Sequence, residues 1–319
     1  MTAAAISIGV WGNKLRGFAH PVDACVDEAT GHLLVLNRST SWSSPHGRAV
    51  RVSVLDRPDP HADVIAEIAR HGSEAGQLMA PVALAADGTG RIAVTDEHSH
   101  TVTVFGSDGR FISRIGGPGT APGLFDHPAG IAADPDGIWV ADAGNDRLQR
   151  LTWDGAPIAV VGSTGLGPGQ FRRPWMVNAD TEGNLWVADW GNDRIQVLDP
   201  QGTCRQVLGS PEGEPFLRPS AVLPMPDGGL VVSDWAHRCI HRFDQRMRRI
   251  GVWYGSAQLS PWGQERLAQF DTIAGRRDAA ADPAGEQLMG RPGGLCALPD
   301  GNVLVADTAH HRLQVYPSV

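Results

Sequence analysis

Six stretches of this chain repeat one another, and the repetition limits its possible folds more than any other feature. The run from Phe125 reads FDHPAGIAADPDGIWVADAGNDRLQRL, and the run from Phe171 reads FRRPWMVNADTEGNLWVADWGNDRIQVL. Both give, in order, an aromatic residue, a proline, an apolar segment, an acidic turn with glycine, a segment ending V-A-D, and N-D-R before a third apolar segment. Weaker copies start at Met79, Phe216 and Met289, and the most diverged starts at His20. The copy prolines are Pro21, Pro81, Pro128, Pro174, Pro219 and Pro292, with Pro81 to Pro219 recurring every 45 to 47 residues.

That period suits four short strands and their turns. Segments such as GRIAV and RIQVL are too short for helices and are bounded by Gly and Asp. Six copies therefore predict an all-β chain, a six-bladed β-propeller occupying residues 1–319 as a single domain. The last copy stops after three strands. The apolar stretch Ala5–Gly12 (AISIGVWG) looks like the fourth segments PIAVVG and RRIGVWYG, so the N-terminal strand is expected to close the last blade by pairing with Leu313–Tyr316. Closure of that kind removes exposed inner strand edges.

Composition narrows the function classes. Lys+Arg is 27 against 35 for Asp+Glu, a balance of −8, which disfavours a phosphate-binding groove; no nucleic-acid partner is expected. No apolar run is long enough to span a membrane, and no basic segment precedes an apolar one at the start, so neither a membrane partner nor a signal peptide is expected. Cys25, Cys204, Cys239 and Cys296 are scattered, which fits a cytoplasmic location; Cys25 and Cys296 occupy matching positions and read as buried thiols. Lys14 is the only lysine. A P-loop lysine or a Schiff base has almost nowhere to sit, so no nucleotide or PLP is expected. The glycine runs Gly116–Gly119 and Gly165–Gly169 open no helix and read as turns.

The pattern V-A-D-x-x-N-x-R-I-Q-V with an upstream P-x-G-I resembles the NHL repeat family, and the copies cover almost the whole chain. The resemblance implies the same six-bladed propeller. It also implies enzymatic relatives among peptidyl-hydroxyglycine lyases, lactonases and strictosidine-synthase-like proteins. The lyases place zinc histidines after a repeat proline; here those positions are Val22, Val82, Ala129, Trp175, Ser220 and Gly293, so that metal site does not carry over.

Candidate site residues gather on the face that carries the loops between second and third strands. Two extra lengths, 39–50 and 255–289, are rooted there and are expected to act as a lid. They bring Trp42, Trp253, Tyr254 and Trp262, while Trp175, Trp190 and Trp235 sit at the repeat turns; together these seven are the expected substrate wall. Trp139 and Trp186, inside strands, read as core. Asp96, Asp142, Asp189, Asp234 and Asp307 end the second strands, with Asn37 in the first copy. Asp142, Asp189 and Asp307 have an arginine five residues on (Arg147, Arg194, Arg312), which predicts an architectural ion pair. Asp96 and Asp234 have Thr101 and Cys239 instead. They are expected to carry raised pKa values and to serve, with His98 and His237, as catalytic acid–base groups. His100, His241 and His311 lie at the same turns, and His20 and His127 precede repeat prolines. His237 and His310 replace the Asn of N-D-R on neighbouring blades and are the candidate ligands for a divalent metal ion; no other cofactor is named by the sequence. The expected function is a small-molecule enzyme of lyase, hydrolase or cyclisation type, its partner a small-molecule substrate or peptide. The alternative is a non-catalytic propeller scaffold binding a protein or peptide.

Overall fold

The computed structural model describes residues 6–8, 17–38, 50–59, 61–209, 215–255, 264 and 288–317. The six repeats form six four-stranded antiparallel sheets, and each sheet is one blade. Every repeat proline is the first residue of an innermost strand: Pro21–Asp27, Pro81–Ala86, Pro128–Asp134, Pro174–Ala179, Pro219–Pro224 and Pro292–Ala297. Proline suits that position because a strand's first N–H need not join the ladder.

The second strands are buried along their length, as in Gly137–Asp142 and Leu185–Asp189, because neighbouring blades cover both of their faces. The outermost strands alternate towards solvent, as in Pro157–Val161. Blades three and four approach so closely that a β-carbon on Gly130 would meet the Met176 backbone. Trp139 and Trp186 are buried between blades.

Ring closure follows the sequence expectation. Ile6–Ile8 is the fourth strand of blade six, beside Arg312–Tyr316, with Ile6 opposite Val315 and Ile8 opposite Leu313. The rest of the predicted closing segment, Ala5 and 9–12, lies outside the described residues. All four cysteines are free thiols. Among the described residues no helix is long and apolar enough to cross a membrane.

Candidate functional site

The carboxylate that ends each second strand organises one face of the ring. Asp142 is fully buried and accepts the backbone N–H of Asp126 (2.7 Å), Asn145 Nδ2 (2.9 Å), Arg147 Nε (2.7 Å) and Gln149 Nε2 (2.9 Å). Asp189 repeats the set with Arg172, Asn192, Arg194 and Gln196. Asp307 does so with Gly290, His310, Arg312 and Gln314. In each case the carboxylate ties the second strand to the residue two before the repeat proline, which fixes where the innermost strand begins.

Blades two and five solve the same problem without arginine, and here the expectation is corrected. Asp96 is not an unsatisfied carboxylate: it accepts four backbone N–H bonds, from Met79, Ala80, His98 and Ser99 (2.5 to 3.1 Å). Asp234 accepts the N–H groups of Leu217 and His237, and its Oδ2 contacts His237 Nδ1 at 2.9 Å and His241 Nε2 at 3.4 Å. Burial alone would raise the Asp234 carboxyl. The bonds from His241, His237 and the backbone overcome it and hold the group below the ordinary carboxylate range, the reverse of the predicted shift. Both carboxylates are buried. Asp234 orients His237, whose ring lies at the surface.

The 3-10 turns that follow end in a left-handed residue, Asp146, Asp193 or His311. This residue latches the next blade. Asp146 Oδ1 accepts the N–H of Arg173 and Asp193 Oδ1 that of Arg218, both at 2.7 Å. At two other seams a histidine replaces the aspartate: His100 Nδ1 accepts from His127, and His311 Nδ1 from His20, both at 3.0 Å.

Three of the seven predicted wall residues meet at the mouth of the central channel. Trp175, Trp190 and Trp235 line a cavity of about 300 Å³ with His20, Arg38, Ser220, Arg291 and Thr308. Trp175 and Trp190 lie 6.2 Å apart, and the Arg291 guanidinium sits 5.3 Å from the Trp235 ring. Arg38 is paired with Glu97, whereas Arg291 has no carboxylate partner among the described residues. The Ser220 hydroxyl donates to the Pro292 carbonyl, so it is not poised as a nucleophile.

Trp253 is placed elsewhere. It is buried and stacks on Tyr316 at 4.5 Å, because the outermost strand of blade five packs it against blade six. Tyr254 is exposed and lines a second recess with His237, Arg238, Leu288, Arg291 and His310. Arg291 is common to the recess and the tryptophan cavity. Trp42 and Trp262, with most of both expected lid segments, lie outside the described residues. Their roots are visible: Arg38 lines the cavity, and the Met289 N–H donates to the Tyr254 carbonyl at 2.8 Å, so the second insertion leaves and returns beside the recess.

The proposed metal pair is brought to one recess, but each ring is engaged by its own carboxylate, His237 by Asp234 and His310 by Asp307 (3.0 Å). The one group of three metal-ligand residues among the described residues is a different one, His100, Asp126 and His127. His98 is exposed and lines neither cavity.

Two residues escaped the sequence reading. Arg291 precedes a repeat proline, where His20, His127, Arg173 and Arg218 stand in other copies; a basic residue recurring there was the available signal. Asp23 stands two after Pro21, where the other copies have Ala83, Gly130, Met176, Ala221 and Gly294. It is buried at a larger cavity of about 630 Å³ towards the opposite end of the channel, near Cys25 and Cys296. Burial pushes its carboxyl up to about 7 despite N–H bonds from Leu84 and Ala24. A β-carbon on Gly294 would collide with this carboxylate, so the neighbouring blade leaves room for it.

Comparison with known proteins agrees with this architecture. The NHL repeat family model matches residues 289–316. The RING finger protein nhl-1 of Caenorhabditis elegans is 36% identical over 73 residues, 23% of this chain and 8% of that protein, so the chain spans a small part of that relative's length. A streptogramin B lyase structure superposes with a TM-score of 0.62 at 14% identity, covering 99% of this chain and 98% of the other. A catalytically inactive virginiamycin B lyase from Staphylococcus aureus with quinupristin gives 0.56 at 13% identity, covering 98% and 87%. A nidogen/laminin complex gives 0.54 at 20% identity, covering 73% and 79%. At these identities the structural likeness establishes the fold alone. The repeat pattern and the closed ring of six four-stranded blades make this chain a six-bladed β-propeller, whose last blade matches the NHL repeat.

Proposed function

We propose that the chain is a small-molecule enzyme of lyase or hydrolase type, with His237 as its general base, acting on the face that holds the tryptophan cavity. One observation carries this reading: two histidines, each held at Nδ1 by a fully buried carboxylate, line one recess, and Arg291 joins that recess to three tryptophans. A carboxylate bound to Nδ1 fixes the imidazole's orientation and tautomer and leaves Nε2 as the acceptor of a proton. His237 Nε2 has no hydrogen-bond partner among the described residues. His310, across the recess, is the matching group to return a proton to the departing atom.

Arg291 would position an anionic group of the substrate, since its guanidinium has no competing carboxylate among the described residues. Trp175, Trp190 and Trp235 would hold a planar or apolar portion beside it. The substrate class that fits is an anionic compound with an aromatic or cyclic apolar part. The two lyases of the same fold are consistent with an elimination at such a site.

The test is turnover of a panel of cyclic esters, aromatic carboxylate esters and quinupristin by the native chain and by His237→Ala. A substrate whose turnover falls at least about 100-fold in the variant, at an unchanged melting temperature, supports the reading. Turnover that His237→Ala leaves intact refutes it. Tight binding of a peptide on this face with no turnover of any compound would favour the scaffold alternative.

A further inference from the structure

We propose a divalent transition-metal site of the zinc class at the seam between blades two and three, formed by His100, Asp126 and His127. One ligand atom from each of the three lies within 4.8 Å of the others. The donor set of two imidazoles and one carboxylate suits Zn²⁺, Co²⁺ or Ni²⁺ better than Ca²⁺ or Mg²⁺, which take oxygen ligands. Three protein ligands leave a fourth position for water or an anionic ligand.

His100 Nδ1 accepts the His127 backbone N–H and so latches this seam, but the latch itself does not require these residue types. The equivalent seams are held by Asp146 with Arg173 and by Asp193 with Arg218, where one aspartate accepts one backbone N–H. Arginine cannot ligate a metal, because it offers donors only. At the blade two to three seam, all three residues that meet are ligand types instead.

The cluster is also prearranged. Gly144 makes room for the Asp126 carboxylate: a β-carbon there would collide with Oδ2. The Asp126 backbone is pinned on both sides, its N–H to Asp142 Oδ1 and its carbonyl by the Gly144 N–H, each at 2.7 Å. The His100 and His127 rings meet edge to face at 4.7 Å. His127 Nδ1 and Asp126 Oδ1 lie 2.6 Å apart, and His100 Nδ1 lies 3.5 Å from the same oxygen. His127 is exposed and Asp126 half-buried, so an ion can enter from solvent. Coordination through His127 Nδ1 would replace its contact with Asp126, the neutral ring carrying its single N–H on Nε2.

Titration of the 319-residue chain with Co²⁺, followed by its visible absorption, and with Zn²⁺ by calorimetry, tests the site. One ion per chain is expected. Asp126→Asn and His127→Ala should each weaken binding at least tenfold, while His61→Ala, at an exposed histidine outside the seam, should not. The metal-free melting temperature identifies variants that remain folded. Native protein that binds no ion, or a folded Asp126→Asn that binds as the native chain does, overturns the proposal. Equal loss in His61→Ala does so too, because it would mean scattered surface binding.

Discussion

His311 Nδ1 accepts the backbone N–H of His20 at 3.0 Å, a bond between residues 291 apart in the chain that joins the last blade to the first. The acceptor must be an unprotonated ring nitrogen. Burial, with the charges of His20 and His310, pushes the His311 imidazole down to about 4 from 6.5. The unfolded chain therefore binds a proton that the native ring resists across that window. Stability from this group is complete above pH 6.5 and is lost as pH falls towards 4.

His311→Asn isolates that effect. Asparagine tolerates the left-handed backbone found here (φ 55°), and its side-chain oxygen can accept the same N–H, as Asp146 and Asp193 do at their seams. The native melting temperature should fall relative to the variant's as pH drops from 6.5 to 4. A constant difference between the two proteins across that range would show that the latch does not titrate.

Asp142 and Asp234 should respond differently to the same substitution. Asp142→Asn leaves the half-buried Arg147 without its carboxylate, a loss of about 1–3 kcal/mol. Thermal or urea unfolding measures it directly. In Asp234→Asn the new amide can donate to His237 Nδ1, which forces the other tautomer and removes Nε2 as a proton acceptor. The protein should stay folded while turnover falls at least about 100-fold. A variant as active as the native chain would leave Asp234 a purely architectural role.

The division between what the sequence told and what it withheld follows from the repeat. Prolines, V-A-D ends and turn residues recur because every blade must solve one backbone problem, so six copies state the blade count and where each strand begins. The replacement of Asn, Arg and Gln by His237, Cys239 and His241 was visible as a departure from the pattern, but its meaning was not. Spacing showed that the arginine was missing; it could not show two histidines, His237 from the surface and His241 from within, taking its place on Asp234. Arg291 and Asp23 were harder still. Their surroundings are made by other blades, Trp235 for one and Leu84 and Gly294 for the other, and no local window contains those neighbours.

Asp23 should titrate near neutrality. Its carboxyl is raised from 3.8 to about 7 by burial, so the native state keeps a proton that the unfolded chain has released. This group's contribution is complete below about pH 4 and declines as pH rises through 7. The infrared carbonyl band of a protonated carboxyl should disappear with a midpoint of about 7 and be missing from Asp23→Ala. A carboxyl already ionised at pH 5 would contradict the burial argument.

The closing strand supplies the last prediction. Ile8 is fully buried in the cluster formed by Leu313, Val315, Leu304 and Phe18, and its strand covers the outer edge of Arg312–Tyr316. Ile8→Ala removes apolar atoms from a packed site that can close only partly, a cost of about 2–4 kcal/mol. Removing residues 1–12 goes further: it exposes the N–H and carbonyl groups of the last blade and cuts a ring whose other seams are continuous in sequence. The truncated chain should melt well below the Ile8→Ala variant, and amide exchange should rise first in Arg312–Tyr316. Unchanged melting after truncation would mean that the three paired residues add nothing to the ring, and that blade six is held by its contacts with blades one and five alone.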